Sequence, residues 1–355
     1  MSKPQRLSDA SGSAEGGCVQ PLGKIERLPK WLLCVPLVAQ WFWLGLRYRS
    51  LTLPSCVNPA IKTGGMAGET KFDTLSLIAS EHTDWVAPTS PVPPGADPET
   101  ARVLAGLSFP VIAKPDIGWC GYGVRRIDDA AQLAAYAAEF PIGATYLLQA
   151  FVPGPLEAGL FYMRRPCEIH GRLIGIAVRH QPQVTGDGIS SVAELAAADA
   201  RLLRTNLPRD TAARVPGAGE VVLLSTVASL RVGGRYENAI ALHTPALEAR
   251  VDAIARSVGG FNFGRLDARF TSTAALQAGL FQIIEINGAG SEAIQFWDPG
   301  IGLLAAYFGV FRKQTMLFAL GAAYRRLGHK STGVMELSRA WLAQQRLIGR
   351  YPASN

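Results

Sequence analysis

Hydrophobic residues recur with two different periods along most of the chain. Short runs rich in aliphatic, β-branched and aromatic residues predict strands at 111–113, 146–152, 160–163, 173–178, 221–225 and 281–286. Segments rich in Ala, Leu and Arg, with apolar residues at helical spacing, predict helices at 128–139, 192–205 and 246–258. This mixture of strands and helices indicates an α+β or α/β protein and excludes a helix bundle or a β-sandwich.

The longest apolar run lies at 31–46 (WLLCVPLVAQWFWLGL), with basic residues on both sides. A spanning helix needs about 20 apolar residues, whereas this run is shorter and contains Pro36 and Gln40. No small-residue cleavage site follows it, so a signal peptide is not indicated. Three interpretations stay open: a buried helix of the fold, an interfacial or re-entrant membrane segment with its three tryptophans at the headgroup level, and a spanning helix.

A second apolar region lies towards the end of the chain. Residues 301–310 and 316–323 are apolar and are split by Arg312 and Lys313, and the pattern predicts helix throughout 301–346. Further upstream, the Pro-rich stretch 86–98 (VAPTSPVPPGADP) indicates a boundary between structural units.

Composition narrows the class of protein. The chain has 355 residues, of which 48% are hydrophobic and 18% charged, so it can bury a sizeable core. Its formal charge of +7 suits polyanionic small molecules, nucleic acid or an anionic membrane, but the basic residues are dispersed and no nucleic-acid-binding module is present. Five cysteines form no CxxC pair, which indicates neither a zinc ribbon nor a disulfide framework and favours a reducing cytosol.

Residues 109–127 (FPVIAKPDIGWCGYGVRRI) combine an apolar strand with a glycine-rich loop. The strand ends in Lys114, and Gly118, Gly121 and Gly123 follow before the chain enters another strand. Glycines let backbone N–H groups approach phosphate oxygens, and a lysine supplies charge. Because the loop precedes a strand, it is neither a Walker A loop nor a Rossmann fingerprint. The alternative is an ordinary hairpin loop with a snorkelling lysine.

A second block, 146–157 (YLLQAFVPGPLE), is a β-type run that breaks at Pro153-Gly154-Pro155 and then presents Glu157. A strand that stops in this way offers edge backbone groups to a purine ring. The carboxylate that follows suits the hydroxyl groups of a ribose.

The third block delivers oxygen-bearing side chains from two late strands, GRLDARF and FQIIEINGAGSE. Glu285 and Asn287 share one face of their strand because their spacing is two, and Asp267 lies on the other strand. Two carboxylates and an amide oxygen are hard ligands suited to Mg²⁺ on nucleotide phosphates. The alternative is a buried salt bridge of Asp267 or Glu285 with Arg265 or Arg269.

In this order the three blocks resemble an ATP-grasp carboxylate–amine ligase, most closely the D-alanine–D-alanine ligase and cyanophycin synthetase branches. The resemblance covers about residues 71–300 and implies an α+β fold in which two lobes clasp ATP. It implies that Lys114 and the glycine-rich loop contact the ATP phosphates. It further implies that the adenine-binding strand includes Gln149, Phe151 and Val152, and that Glu157 binds the ribose.

The same resemblance makes Asp267, Glu285 and Asn287 ligands of Mg²⁺, with Mn²⁺ as an alternative. It places Arg265, two residues before the aspartate, near the transferred phosphoryl group.

Three further positions follow from the resemblance. Lys71 corresponds to an earlier nucleotide-binding lysine, and Arg179 and His180 end a strand opposite the lid, where they meet phosphate. The segment 184–195 (VTGDGISSVAEL) resembles the Gly-Asp-Gly loop of cyanophycin-type ligases, and there Asp187 is either functional or a turn former.

The implied reaction is attack of a carboxylate on the γ-phosphate of ATP, followed by displacement of phosphate from the acyl phosphate by an amine. Small-molecule carboxylates and amines are then the partners, with no role for nucleic acid. A carboxylating or phosphoryl-transferring ATP-grasp enzyme and a non-catalytic ATP-binding protein are the alternatives.

The resemblance also divides the chain. Residues 1–20, polar and rich in Ser and Gly, are expected to be a flexible leader. Residues 21–70 form a reduced N-terminal region of apolar helix and loop, 71–300 the ATP-grasp domain, and 301–355 a helical tail. The segments 31–46 and 301–323 either hold a cytoplasmic protein against the inner face of a membrane or pack on each other. A homodimer is a further open alternative.

Overall fold

A computed structural model describes residues 22–23 and 25–355, and the predicted leader at 1–20 lies outside these residues. The helices are α1 Lys30–Arg47, α2 Lys71–Ser76, α3 Pro98–Leu104, α4 Ala130–Glu139, α5 Val192–Ala197, α6 Arg209–Ala213, α7 Pro245–Ser257, α8 Thr273–Gln277, α9 Leu303–Arg326 and α10 Val334–Ile348. The strands are β1 Thr89–Val92, β2 Val111–Pro115, β3 Arg125–Ile127, β4 Tyr146–Ala150, β5 Leu156–Met163, β6 Arg172–His180, β7 Gln183–Thr185, β8 Val221–Leu223, β9 Arg235–Asn238, β10 Phe263–Phe270 and β11 Gln282–Asn287.

A four-stranded antiparallel sheet, in the order β1-β4-β2-β3, forms the first lobe. Helix α4 covers it because Leu133 and Tyr136, one helical turn apart, both point into its core. Asp129 caps that helix by accepting a hydrogen bond from the backbone N–H of Gln132.

The second lobe is a five-stranded antiparallel sheet in the order β11-β10-β5-β6-β9. Its main core lies under α7, which begins at the Thr244 cap with proline in its first turn and buries Leu247, Val251 and Ile254 at helical spacing. A short β7-β8 pair with α5 forms a smaller satellite. The α+β class is therefore confirmed.

The segments before and after the two lobes pack together on the second sheet. The stretch after α1 is buried, and at Gly321 of α9 a side chain would collide with the backbone of Leu53. Trp41 of α1 meets Phe318 of α9 edge to face, with ring centroids 4.9 Å apart. This contact is the one expected if 31–46 and 301–323 pack on each other. Much of α1 nevertheless stays exposed, so the interpretation of 31–46 as a buried helix is wrong.

Three details differ from the sequence prediction. The tail is two helices rather than one, because the chain breaks after Arg326 and Gly328 adopts a φ of +95°. The predicted helix at 192–205 stops as an α-helix at Ala197, and only a short 3₁₀ turn follows. The Pro-rich stretch 86–98 contains strand β1. Within the described part of the chain, none of the helices combines the length and apolar composition needed to cross a membrane.

The Gly-Asp-Gly segment is a tight turn in the satellite. Both side-chain oxygens of Asp187 accept hydrogen bonds from Ile189 and Ser190, at 2.7–2.8 Å. These bonds also hold the pKa of the exposed carboxyl at about 2. The structure thus shows Asp187 as a turn former.

Candidate active site

A cavity of about 280 Å³ lies between the lobes, below the glycine-rich loop. Eight of the predicted site residues line it: Lys71, Gly118, Gly121, Arg179, Arg265, Asp267, Glu285 and Asn287. They come from α2, the loop, and strands β6, β10 and β11, so residues more than 200 positions apart in sequence converge.

Strand register creates the polar wall of the cavity. Strands β10 and β11 pair antiparallel so that Asp267 lies opposite Glu285 and Arg265 lies opposite Asn287. Residues that face each other across an antiparallel pair point to the same side of the sheet. The four side chains therefore form one block on the cavity side.

Asp267 is the centre of an ion-pair network. It is 1% exposed, and Arg265 binds both of its carboxylate oxygens, at 2.5 and 2.9 Å. Arg179 from β6 adds a contact of 3.1 Å, and the Asn287 amide donates at 3.1 Å. The alternative of a salt bridge between Asp267 and Arg265 is thus present in the structure, and it links the predicted metal ligand to the predicted phosphoryl-binding arginine.

Lys114 lies behind this wall and is almost fully buried. Its ammonium group donates to the side-chain oxygen of Gln149 at 2.9 Å and to the carbonyl of Ile284 at 2.8 Å. Burial lowers the pKa of Lys114 to about 8, although nearby Glu285 favours the charged form. The lysine therefore ties the first lobe to β11, directly beside the cavity.

Glu285 is paired with a second lysine. The Lys71 ammonium lies 3.3 Å from its carboxylate, at the start of α2. Although burial opposes ionisation, the positive charges of Lys71 and Lys114 lower the pKa of Glu285. A carboxylate kept ionised beside two ammonium groups suits a site that holds phosphate and a cation together.

The glycine-rich loop closes the cavity. Gly118 approaches Lys71 so closely that a Cβ there would lie 3.1 Å from its ammonium nitrogen, and Gly121 has a φ of +72°. Arg231 holds the loop by donating to the carbonyls of Cys120 and Gly121, at 3.2 and 3.1 Å.

The C-terminal region holds the same loop. Gln344 of α10 donates to the carbonyl of Gly118 at 3.1 Å and accepts from the N–H of Gly68 at 3.2 Å, so it joins both sides of the cleft. Tyr351 donates to the carbonyl of Ile117, and Ser354 donates to the carbonyl of Gly121 that Arg231 also contacts. Sequence reasoning missed this contribution, because nothing in the tail marks where it folds back.

Several cavity residues were not predicted: Glu69, Tyr236, Glu292, Trp341 and Gln344. Glu69 is the most unusual of these, since burial raises its pKa and one of its buried carboxylate oxygens has no hydrogen-bond partner. The signal in the sequence was its place two residues before Lys71, in the same short segment.

Three of the predicted nucleotide residues do not line the cavity, and two of them, Gln149 and Val152, are buried. Gln149 is occupied by Lys114 and by the Thr89 hydroxyl, which accepts from it at 2.7 Å. Glu157 contacts Arg179 at 2.6 Å, and burial raises the pKa of this glutamate despite the arginine. Val152 is also buried.

The remaining predicted residues lie at the margins of the site. Phe151 lies between the guanidinium groups of Arg126 and Arg269, 4.8 and 5.1 Å from its ring centroid. Gly123 accepts a hydrogen bond from the Tyr136 hydroxyl through its carbonyl.

His180 points away from the cavity and pairs with Glu237 at 2.8 Å. Neighbouring residues on a strand face opposite sides, so His180 cannot share the orientation of Arg179. The structure therefore does not bring His180 to the phosphate site.

The donor groups suit a hard cation only together with phosphate oxygens. Among residues 22–23 and 25–355, no three His, Cys, Asp or Glu side chains form a metal-binding group by themselves. A carboxylate has about four lone-pair positions, so Asp267 can keep its arginines and still face a cation beside Glu285 and Asn287. This donor set fits Mg²⁺, which usually takes one or two carboxylates and completes its shell with water and phosphate.

No protein-family model matches the chain, and no curated protein matches it. The chain is similar to the solved structure of a D-alanine–D-alanine ligase from Bacillus anthracis at 14% identity, with a TM-score of 0.44, over 73% of this chain and 68% of that one. It is also similar to a D-Ala:D-Ser ligase from Enterococcus faecalis, at 14% identity and a TM-score of 0.40, over 70% of this chain and 61% of that one. A bifunctional glutathione synthetase from Pasteurella multocida is matched at 14% identity and a TM-score of 0.32, over 68% of this chain and 36% of that one. All three TM-scores are below 0.5, so these similarities carry no argument about function, and the residues that line the cavity have to supply it.

Proposed function

We propose that the protein is an ATP-dependent carboxylate–amine ligase that works through an acyl phosphate. The observation that supports it is the convergence of Lys71, Arg179 and Arg265 with Asp267, Glu285 and Asn287 in one cavity beneath a glycine-rich loop. A triphosphate with its divalent cation requires basic side chains that contact the phosphates and oxygen ligands that hold the metal ion.

The residues of this chain position the phosphates and neutralise their charge. Lys71 and the amides of the glycine-rich loop bind the phosphate chain, and Lys114 supports this wall from behind. Arg265 and Arg179 face the phosphoryl group as it passes to the carboxylate oxygen. Asp267 orients both guanidinium groups, because it holds one by two hydrogen bonds and the other by one.

Asp267, Glu285 and Asn287 would hold Mg²⁺, which supplies charge neutralisation on the phosphates. In the first step the acid's carboxylate oxygen bonds to the γ-phosphorus and ADP leaves. In the second step the amine nitrogen bonds to the acyl carbon, phosphate leaves, and the amine loses a proton. The closed loop keeps water away from the acyl phosphate between the two steps.

The test is ADP release with a panel of amino acids, dipeptides and hydroxy acids, each combined with a set of amines. An ¹⁸O-labelled carboxylate should transfer one ¹⁸O to the released phosphate, because the oxygen that attacks phosphorus leaves with it. Release of ADP that needs bicarbonate would favour a carboxylating enzyme. ATP binding with no turnover under any combination would contradict the ligase.

Glu285→Gln provides the matched test of the site. It removes one negative charge beside Lys71 while keeping the shape of the side chain, and turnover should fall by roughly 100-fold or more. The control is Glu81→Gln, at an exposed position outside the cavity, which should keep wild-type turnover. Equal activity of the two variants would contradict the assigned role of Glu285.

A further inference from the structure

The excess positive charge of the protein arises from two stretches of its sequence. Residues 27–68 and 299–335 contain ten Lys and Arg residues and no Asp or Glu, whereas the rest of the chain holds 25 basic and 28 acidic residues. The stretches are far apart in sequence, so their shared lack of acids gains meaning only if the fold brings them together.

The fold does bring them together, because α1 and α9 lie side by side and run in the same direction. Near the start of both helices the Tyr307 hydroxyl donates to the carbonyl of Leu33 at 3.2 Å. Further along, the Gln40 amide donates to the carbonyl of Phe311 at 3.1 Å. The two acid-free stretches therefore form one surface.

Helix α1 exposes a stripe of apolar side chains that runs along its whole length, in addition to the apolar residues that it buries. Trp31 is 70% exposed and Leu46, at the other end, is 78% exposed. Among the exposed large residues between them, Val35, Val38 and Phe42 continue the same stripe at helical spacing, whereas Leu32 and Trp43 lie beside it. Leu304 and Phe308 of α9 are also exposed. We refer to the five stripe residues of α1 together with Leu304 and Phe308 as the α1–α9 face.

Arginines lie at one end of the α1–α9 face. Arg47 is the last residue of α1, Arg49 follows two positions later, and both are exposed. Arg47 lies 5.4 Å from the ring centroid of Trp43, which is itself half exposed. Arg325 of α9 reaches the same place, where it donates to the carbonyl of Tyr48 at 3.1 Å. A row of exposed apolar residues that ends in arginines is the pattern of a helix lying in a membrane interface.

Two other partners for the α1–α9 face fit less well than a membrane: the N-terminal segment of the same chain and a second copy of the protein. The first 21 residues of the chain contain only Met1, Leu7 and Val19 as larger aliphatic residues, too few to cover such a stripe. A second copy of the chain would bury two acid-free surfaces against each other, and the arginines would find no anionic partner there.

We propose that the α1–α9 face docks the protein onto an anionic lipid bilayer. The exposed apolar side chains enter the boundary between headgroups and acyl chains, Trp31 and Trp43 lie at the headgroup level, and the arginines contact lipid phosphates. The docking does not depend on the ligase proposal, because none of the seven residues of the α1–α9 face lines the cavity.

The experiment is flotation of the full-length protein with vesicles of phosphatidylcholine alone and of phosphatidylcholine with 30% phosphatidylglycerol, where about a third of the headgroups are then anionic. At low salt we expect roughly tenfold more protein to float with the anionic vesicles, and we expect this excess to fall as salt screens the arginines. Equal flotation with both kinds of vesicle, or none with either, would overturn the proposal.

Two pairs of variants separate the apolar and the charged contributions. Phe42→Ser with Leu46→Gln should reduce flotation by roughly tenfold, and Arg47→Gln with Arg49→Gln should do the same for anionic vesicles. The controls are Leu104→Gln with Ile142→Gln, which are 83% and 97% exposed elsewhere, and Arg172→Gln, also at an exposed position. Wild-type flotation of the first two variants would overturn the proposal.

Far-UV circular dichroism and ATP binding check that each variant is folded. If the apolar variant fails to fold, the arginine variant and the wild-type comparison still decide the question. Light scattering of the wild-type protein tests whether a second copy of the chain covers the α1–α9 face instead. A dimer that Phe42→Ser with Leu46→Gln dissociates, together with no vesicle binding, would assign the face to a second copy and overturn the proposal.

Discussion

The two sides of the cavity are held in place by different means. The carboxylate side is built on strands β10 and β11, where register sets Asp267 opposite Glu285 and buried ion pairs fix both. The glycine-rich loop, on the other side, is held through its own carbonyl oxygens by donors such as Arg231 and Gln344, which come from distant segments.

The two sides therefore suit different roles: the carboxylate side suits the chemical step, and the loop side suits entry and exit of ligands. A side chain set by strand pairing keeps its position whether or not a ligand is bound, which suits groups that must meet developing charge. A loop held by a few hydrogen bonds can be released without disturbing the sheets. Substitutions on the carboxylate side should therefore lower turnover and stability, whereas substitutions on the loop side should change ligand affinity and the protection of the loop.

The largest effect is expected at the carboxylate side. Asp267→Asn leaves Arg265 and Arg179 without their buried carboxylate, so turnover should fall by roughly a thousandfold and the free energy of unfolding by about 3 kcal/mol. ADP release and chemical denaturation measure the two losses. The structure indicates a loss of stability that Glu285→Gln should share only in part, because Asp267 is the more deeply buried of the two carboxylates. Equal stability of Asp267→Asn and the wild type would contradict the ion-pair network as described.

Lys114 should reveal itself in the pH dependence of stability. Its pKa in the folded protein, about 8, lies below the ordinary value for lysine, so the unfolded chain binds more protons between pH 8 and about 10. The cost of burying its charge is therefore present below pH 8 and is relieved as the pH rises through this window.

The nucleotide-free Lys114→Met variant should show a smaller rise in the free energy of unfolding than the wild type, which denaturant titrations at pH 7.5 and 9.5 measure. Part of the rise should remain, because burial also lowers the pKa of Lys313 to about 8. The control is Lys62→Met, at an exposed position. An unchanged pH dependence in Lys114→Met would show that this lysine is not desolvated as the structure places it.

The loop side should show a smaller and different effect. Gln344→Leu removes the bonds to Gly118 and Gly68, and we expect the KM for ATP to rise roughly fivefold with little change in kcat and faster proteolysis within the loop. Arg346→Leu, two residues further along α10 and exposed, is the control. A fall in kcat with unchanged KM would argue that Gln344 takes part in the chemistry instead.

The smallest effect is expected at His180. Because its imidazole pairs with Glu237 outside the cavity, His180→Ala should change kcat and KM by less than about twofold. A loss of tenfold or more in kcat would restore the role that the sequence resemblance gave to this residue.

The residues that the sequence predicted best are those placed by strand geometry. Glu285 and Asn287 share a face because of their spacing, and the same rule of alternation places Arg179 and His180 on opposite sides of β6. Lys114 stood out as a charge in an apolar strand, although the sequence did not show that it would be buried against β11.

What the sequence could not give depends on contacts across long distances in the chain. Gln344 meets Gly118 and Gly68 only because the tail turns at Gly328 and folds back over the cleft. The pKa of Glu69 is raised because the side chain is buried, and the residues next to Glu69 in the sequence do not indicate that burial. The exposure of α1 likewise depended on which of its faces α9 would cover.

The hydrogen bonds that hold the 117–121 stretch affect the rate at which the loop can open during a reaction cycle. Its carbonyls are gripped by Arg231, Gln344, Tyr351 and Ser354, and Arg231 also donates to Ser354 at 2.8 Å, so the donors support one another. Under the proposed function, release of the nucleotide product would require several of these bonds to break together. The interval between turnovers would be governed by their joint opening, so loss of the Gln344 bond alone leaves kcat nearly unchanged, and a faster enzyme would need several of these donors removed at once.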